Sequence, residues 1–158
     1  MKSIQIFILL MAAGLFSANA QEGKEDMANP NEIYISNTVN GSIDKVYADL
    51  VEALKEYKFG VITEVDMAKT LKEKLDVDMK PYKILGVCNP GSAYEALQAE
   101  PNIGVFLPCK VILKEIDEKT VEVVSANPQK MMEMLNNGQL NETARMVTEK
   151  LERVIQSL

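Results

Sequence analysis

The chain has 158 residues, no histidine, no tryptophan, two cysteines, nine methionines and a net charge of −6 at pH 7. Without histidine a single chain holds neither a Ser-His-Asp nor a Cys-His catalytic apparatus, nor His-ligated zinc or iron, so any general acid or base is Asp, Glu, Lys, Tyr or Cys. The acidic balance repels phosphate backbones and anionic lipid, which argues against nucleic-acid binding and membrane-surface attachment.

Residues 1–20 read as a signal peptide. Lys2 supplies the positive start, Ile4 to Phe16 the apolar run, and Ala18-Asn19-Ala20 a small-residue cleavage site, so the mature chain is expected to begin at Gln21. The run is too short for a stable membrane anchor, and no later stretch could span a bilayer. No cysteine stands near the cut to carry a lipid. The protein is therefore expected to be exported, to the periplasm or outside the cell. Residues 21–31 are polar and aperiodic, a flexible tail. Residues 32–158 have the length of one domain with a proper core.

Within that domain Ile33 and Ile35 alternate with polar neighbours, a short strand, and Asn40-Gly41 marks a turn. Ser42 is a natural N-cap for a helix reaching Lys58, whose Ile43, Val46, Tyr47, Leu50, Val51, Leu54 and Tyr57 form one apolar stripe. Phe59 to Val65 reads as a strand with Phe59, Val61, Thr63 and Val65 on one side. Asp66 can cap a short helix with Met67, Leu71 and Leu75 on one face. Tyr82 to Cys88 is the next strand, with Tyr82, Ile84, Gly86 and Cys88 on one face by the period of two. Ser92 to Glu95 has the form of a capping box, and Pro101 stops the helix it opens. Ile103 to Ile116 reads as one long strand bent at Pro108. Asp117-Glu118 turns it into a hairpin partner over Thr120 to Ser125. Asn127-Pro128 opens a methionine-rich helical stretch that Asn136-Asn137-Gly138 ends. Asn141 can cap a last helix with Ala144, Val147, Leu151, Val154, Ile155 and Leu158 on its apolar face. Strands and helices mix without strict alternation, which predicts an α+β fold, helices on one face of a mostly antiparallel sheet.

Both cysteines fall in the block from 82 to 109, each beside or one residue from a proline. Cys88 lies just before a helix start, capped by Asn89 or Ser92. Free N–H groups and the positive helix end there can lower a thiol's pKa, leaving a thiolate that binds soft metals or exchanges with disulfides. The bland alternative is a small buried residue at a strand end. Cys109 is its natural partner. In an exported protein the two could form a disulfide worth roughly 3 kcal/mol in the chain-entropy model. Two cysteines are too few for a closed zinc site. Asn89-Pro90-Gly91 could present backbone N–H groups to an anion, or be ordinary cap chemistry. Glu64 and Asp66, two apart on a strand, could pair as acid and base or hold a cation, or be a solvated residue and a cap. Lys69, Lys72, Lys74 and Lys80 near Tyr82 could hold an anionic ligand, or form a solvated face. Met131, Met132 and Met134, with Met146, offer soft thioethers to Cu(I), or adaptable core.

The segments FGVITEVDM (59–67), LKEKLDVD (71–78), PYKILGVCNP (81–90) and AYEALQAEPNIGVFLPCKVIL (93–113) together resemble the family known as domain of unknown function 302. Agreement runs from about 42 to 135, and the ILG-x-CNP and LPC words are specific. The resemblance implies a TBP-like fold, a curved antiparallel sheet of about five strands with helices on one face, often as homodimers, and it implies no activity. Three departures stand out: the leader, Lys110 where the pattern has Asn, and an added helix after 138. The resemblance also places both cysteines in relatives without a leader, where stable bridges are rare. Staple, packed thiols and functional pair stay open. The expected function is a small-ligand or soft-metal binding module around Cys88, Asn89 and Cys109, with no cofactor. The alternatives are a thiol-based redox or sulfur-handling enzyme with Cys88 as nucleophile and Cys109 resolving, and a structural envelope protein.

Overall fold

The computed structural model describes residues 33–158. The expected signal peptide, its cleavage site and the tail over 21–31 lie outside the described residues. Five strands form one sheet: β1 (Tyr34–Asn40), β2 (Gly60–Asp66), β3 (Tyr82–Cys88), β4 (Cys109–Asp117) and β5 (Thr120–Ala126). Their spatial order is β1-β5-β4-β3-β2, and every neighbouring pair is antiparallel. This is the expected α+β architecture.

Alternation decides which face is covered. Ile35, Val39, Leu85, Val87, Val111, Leu113, Val121 and Val123 are buried at every second position of four strands. Over them lie α1 (Ile43–Glu56), contributing Val46, Leu50 and Leu54, and α5 (Gly138–Gln156), contributing Val147, Leu151, Val154 and Ile155. Asn37, a polar residue on that face, is satisfied by donating from Nδ2 to the Ile155 carbonyl at 2.9 Å. Ser42 caps α1 and Asp66 caps α2 (Met67–Leu75), as the sequence predicts. None of the residues of α2 is buried. No helix among the described residues is long and apolar enough to cross a membrane.

Four expectations need correcting. The run from Ile103 is not strand as far as Pro108: Pro101–Phe106 is a 3₁₀ helix, and β4 begins only at Cys109. Ile103 and Leu107, four apart, turn together toward Ala96 and Ala99, and a short apolar run does not by itself separate a helix turn from a strand. The helix after β3, α3 (Pro90–Ala99), starts earlier than the Ser92 box, because Asn89 caps it and Pro90 takes its first position. In β2 a bulge at Ile62 breaks the alternation: Val61 pairs with Val87, but Thr63 pairs with Gly86. Thr63 and Val65 therefore fall on the open face of the sheet, away from Val61, and Glu64 on the helical side. Finally, Asn137 rather than Asn141 caps α5, its Oδ1 accepting from the Gln139 N–H at 3.0 Å.

A candidate ligand cavity at the cysteine end of the sheet

Two strand ends open into helices through the same dipeptide. After β3, Asn89-Pro90 starts α3; after β5, Asn127-Pro128 starts α4 (Pro128–Glu133). Each asparagine is buried and works as a junction. Asn89 accepts from the Ser92 N–H at 3.1 Å and donates to the Tyr57 carbonyl at 3.1 Å, tying α3 to the end of α1. Asn127 accepts from the Lys130 N–H at 3.2 Å and from the buried Thr148 hydroxyl at 3.2 Å, tying α4 to α5. The helices diverge from these two corners, and a second apolar cluster of Ile103, Met132, Leu140 and Ala144 closes the far side.

Between this cluster and the main core lies a cavity of about 100 Å³ whose lining is almost wholly apolar. Cys88, Asn89 and Cys109 line it from the strand ends, and Met131 and Met132 from α4. Thr143 of α5 and Ser92 of α3 add the few hydroxyls. Both cysteines are free thiols. The register sets Cys109 against Val87, not Cys88. One position out of step, the two start on opposite faces of the pleat, an arrangement that does not favour a bridge.

The thiols are not activated. Burial pushes the Cys88 thiol above its ordinary value. Cys109 is pushed up to about 11, by burial first and by neighbouring Cys88 second. The lowered pKa expected of Cys88 at a helix start is thus corrected. The first turn of α3 has little to offer an anion: Pro90 has no N–H, the Ser92 N–H goes to the Asn89 side chain, and the Ala93 N–H goes to the Asn89 carbonyl at 2.9 Å. Asn89 serves that turn as its cap. Lys110 turns its Nζ to the Pro108 carbonyl at 2.6 Å.

The remaining sequence candidates stand elsewhere. Tyr82 stands at the opposite end of β3, six strand residues or roughly 20 Å from Cys88, while Asp66 is paired with Lys83 and Glu64 with Leu85, nearer mid-strand. Glu64 accepts from the Tyr47 hydroxyl at 3.0 Å and pairs with Lys83 at 3.3 Å, while Lys83 stands 5.0 Å from the Tyr47 ring centre. Asp66 accepts from the Lys69 N–H at 2.9 Å as a helix cap. Lys74 lies exposed in the last turn of α2, and Tyr82 sits opposite Lys114. Sequence reasoning missed the walls supplied by α5 and the 3₁₀ helix. The repeated Asn-Pro after a strand was the available signal, since two such corners, on strands separated by β4, can frame a space between their helices.

A family model described as domain of unknown function DUF302 matches residues 35–158. Among solved structures the chain is similar to the crystal structure of an uncharacterized conserved DUF302 protein from Bacillus stearothermophilus. The two are 30% identical, with a TM-score of 0.69 over 77% of this chain and 95% of that one. No functionally curated protein matches the chain. The family match extends to the last residue, so α5 is part of the shared domain and not an addition after 138.

Proposed function

The chain belongs to the DUF302 family of domains of unknown function, and on that premise we propose that it is an exported binding module that holds a small, poorly hydrated ligand in the cavity beside Cys88 and Cys109 without turning it over. One observation carries this reading: an almost wholly apolar cavity brings both cysteines to its wall and holds no carboxylate, lysine pair or other acid–base couple. Such a lining gains by exchanging water for a weakly hydrated guest. Its one ionisable residue besides the cysteines, Lys110, is turned to the Pro108 carbonyl, and a redox or sulfur-transfer enzyme would need a group that takes the thiol proton at neutral pH.

The test is alkylation of the exported protein by iodoacetamide from pH 5 to 11, read by mass spectrometry, beside the melting shift produced by a small apolar probe such as benzene. Only the thiolate reacts, so a raised pKa means slow labelling at pH 7 and a rate that keeps climbing beyond the ordinary value of 9.0, for Cys109 toward about 11. The probe should raise the melting temperature and slow the labelling. Rapid labelling of Cys88 below pH 7 would transfer the site to the redox alternative. Recovery of a Cys88–Cys109 linked peptide before reduction would make the pair a staple.

A homodimer is the accompanying proposal, with a second copy on the open sheet face. Val65, Ile84, Ile112 and Val124 are register neighbours across four strands there, an unbroken apolar row. Beside it Lys114 and Glu122 pair at 2.8 Å. A twofold axis can set one copy's cation against the other's anion, which makes the surface self-complementary. Sedimentation of Ile112→Glu should give a monomer where the parent protein gives a dimer; a parent that sediments as a monomer removes the proposal.

A further inference from the structure

Four sulfur-bearing residues from three separate segments line the same cavity: Cys88 and Cys109 at the ends of β3 and β4, and Met131 and Met132 on α4. Forty-three residues of chain separate Cys88 from Met131, so the convergence is a product of the fold. We propose that the ligand of this cavity is a monovalent soft metal ion of the Cu(I) class, held by sulfur alone. This rests on the binding reading above and names its ligand.

Donor chemistry selects the ion. Among the described residues no group of three or more His, Cys, Asp or Glu side chains could hold a metal. Zinc, magnesium and calcium thus lack a donor set, since they need nitrogen, oxygen or several thiolates. A soft ion accepts thiols and thioethers together.

The methionines are also held in place. Asn127 caps α4, and the Gln129 N–H donates to the Thr148 hydroxyl of α5 at 3.0 Å, fixing the helix against its neighbour. Met132 is buried and Met131 half-buried, both turned toward the second apolar cluster. A leucine at either position would fill the same space with nearly the same shape. A thioether there is what a metal would distinguish from leucine.

The experiment titrates the reduced full-length exported protein, without oxygen, with Cu(I) buffered by a chromogenic chelator, and repeats it with Ag(I) and Zn(II). The expected result is one Cu(I) or Ag(I) withdrawn per chain and no competition for Zn(II). Met131→Leu with Met132→Leu should keep the fold by circular dichroism yet lose at least about tenfold in affinity, on the order of what loss of a metal site's supporting residue costs. Cys88→Ser and Cys109→Ser should each abolish the withdrawal. Unchanged affinity in the double leucine variant, equal competition for Zn(II), or no Cu(I) uptake overturns the proposal. If Cu(I) fails while benzene still raises the melting temperature, the metal falls and the binding cavity stands. If neither ligand registers, both fall.

Discussion

Gly86→Ala should destabilise the protein by about 2–3 kcal/mol, the upper part of the range for overpacking a filled site. Gly86 lies buried in the middle of β3, and a Cβ there would come within 2.1 Å of the Thr63 hydroxyl oxygen and 2.6 Å of Pro108 Cγ. The threonine stands on an edge strand and can rotate aside. The proline ring cannot, because it belongs to the chain entering β4. Urea denaturation checks the loss, and Thr63→Ala should recover part of it in the double variant, leaving the share due to Pro108. A Gly86→Ala protein as stable as the parent would show that the strand can step away from both neighbours. The contact also gives the two specific sequence words a common cause: the glycine of ILG-x-CNP is the floor on which the proline of LPC rests.

Leu151→Ala should cost about 2–5 kcal/mol, as expected when a fully enclosed leucine is cut to a methyl group. Leu151 has no exposed surface, and it sits with Val147, Val154 and Ile155 where α5 meets the sheet and α1. Removing Gly138–Leu158 altogether should leave a chain that does not fold, because α5 supplies Val147, Leu151, Val154 and Ile155 to the core over the sheet and Leu140 and Ala144 to the second cluster. Circular dichroism and denaturant midpoints measure both. A truncated chain that folds with native cooperativity would return α5 to the status of an appendage. The exposed face of the same helix is expected to matter little: Arg145 pairs with Glu142 and Glu149 in solvent, where water screens such pairs.

Much of this was legible in the order of residues, for physical reasons that vary along the chain. The stripe from Ile43 to Leu54 and the hairpin turn at Asp117-Glu118 were plain, because a long periodic pattern leaves one economical way to bury its apolar side and a polar pair between apolar runs marks a turn. Asp66 and Ser42 were readable as caps because their oxygens stand just where a helix has spare N–H groups. The bulge at Ile62 was hidden, since an extra residue in an edge strand leaves no mark on composition while reversing the side on which Glu64 points. The 3₁₀ helix was hidden for a related reason: six mostly apolar residues fit two local geometries equally, and only packing on Ala96 and Ala99 decides. At the site, Cys88 and Cys109 were visible as unusual residues but not as unactivated ones. Their thiols are governed by enclosure and by hydrogen bonds already spent within Asn89, Ser92 and Ala93, which only three dimensions reveal. The methionines were noticed as a run, and their meeting with the cysteines followed from two Asn-Pro corners that the linear chain shows thirty-eight residues apart.

The cavity lies along a seam. On one side Phe59, Val87 and Val147 belong to the main core; on the other Ile103, Met132 and Leu140 form their own cluster. Where two packed bodies meet across a void, dispersion contacts are missing and the joint is mechanically soft. The rim of the seam built from α3 and the 3₁₀ helix can loosen at less cost than global unfolding, in the manner of a separately melting unit, while α4 stays tied to α5. That breathing widens the mouth of a cavity that is already partly open. A guest that touches both walls acts as mortar, and its binding would register as a tightening of the whole molecule into one cooperative block.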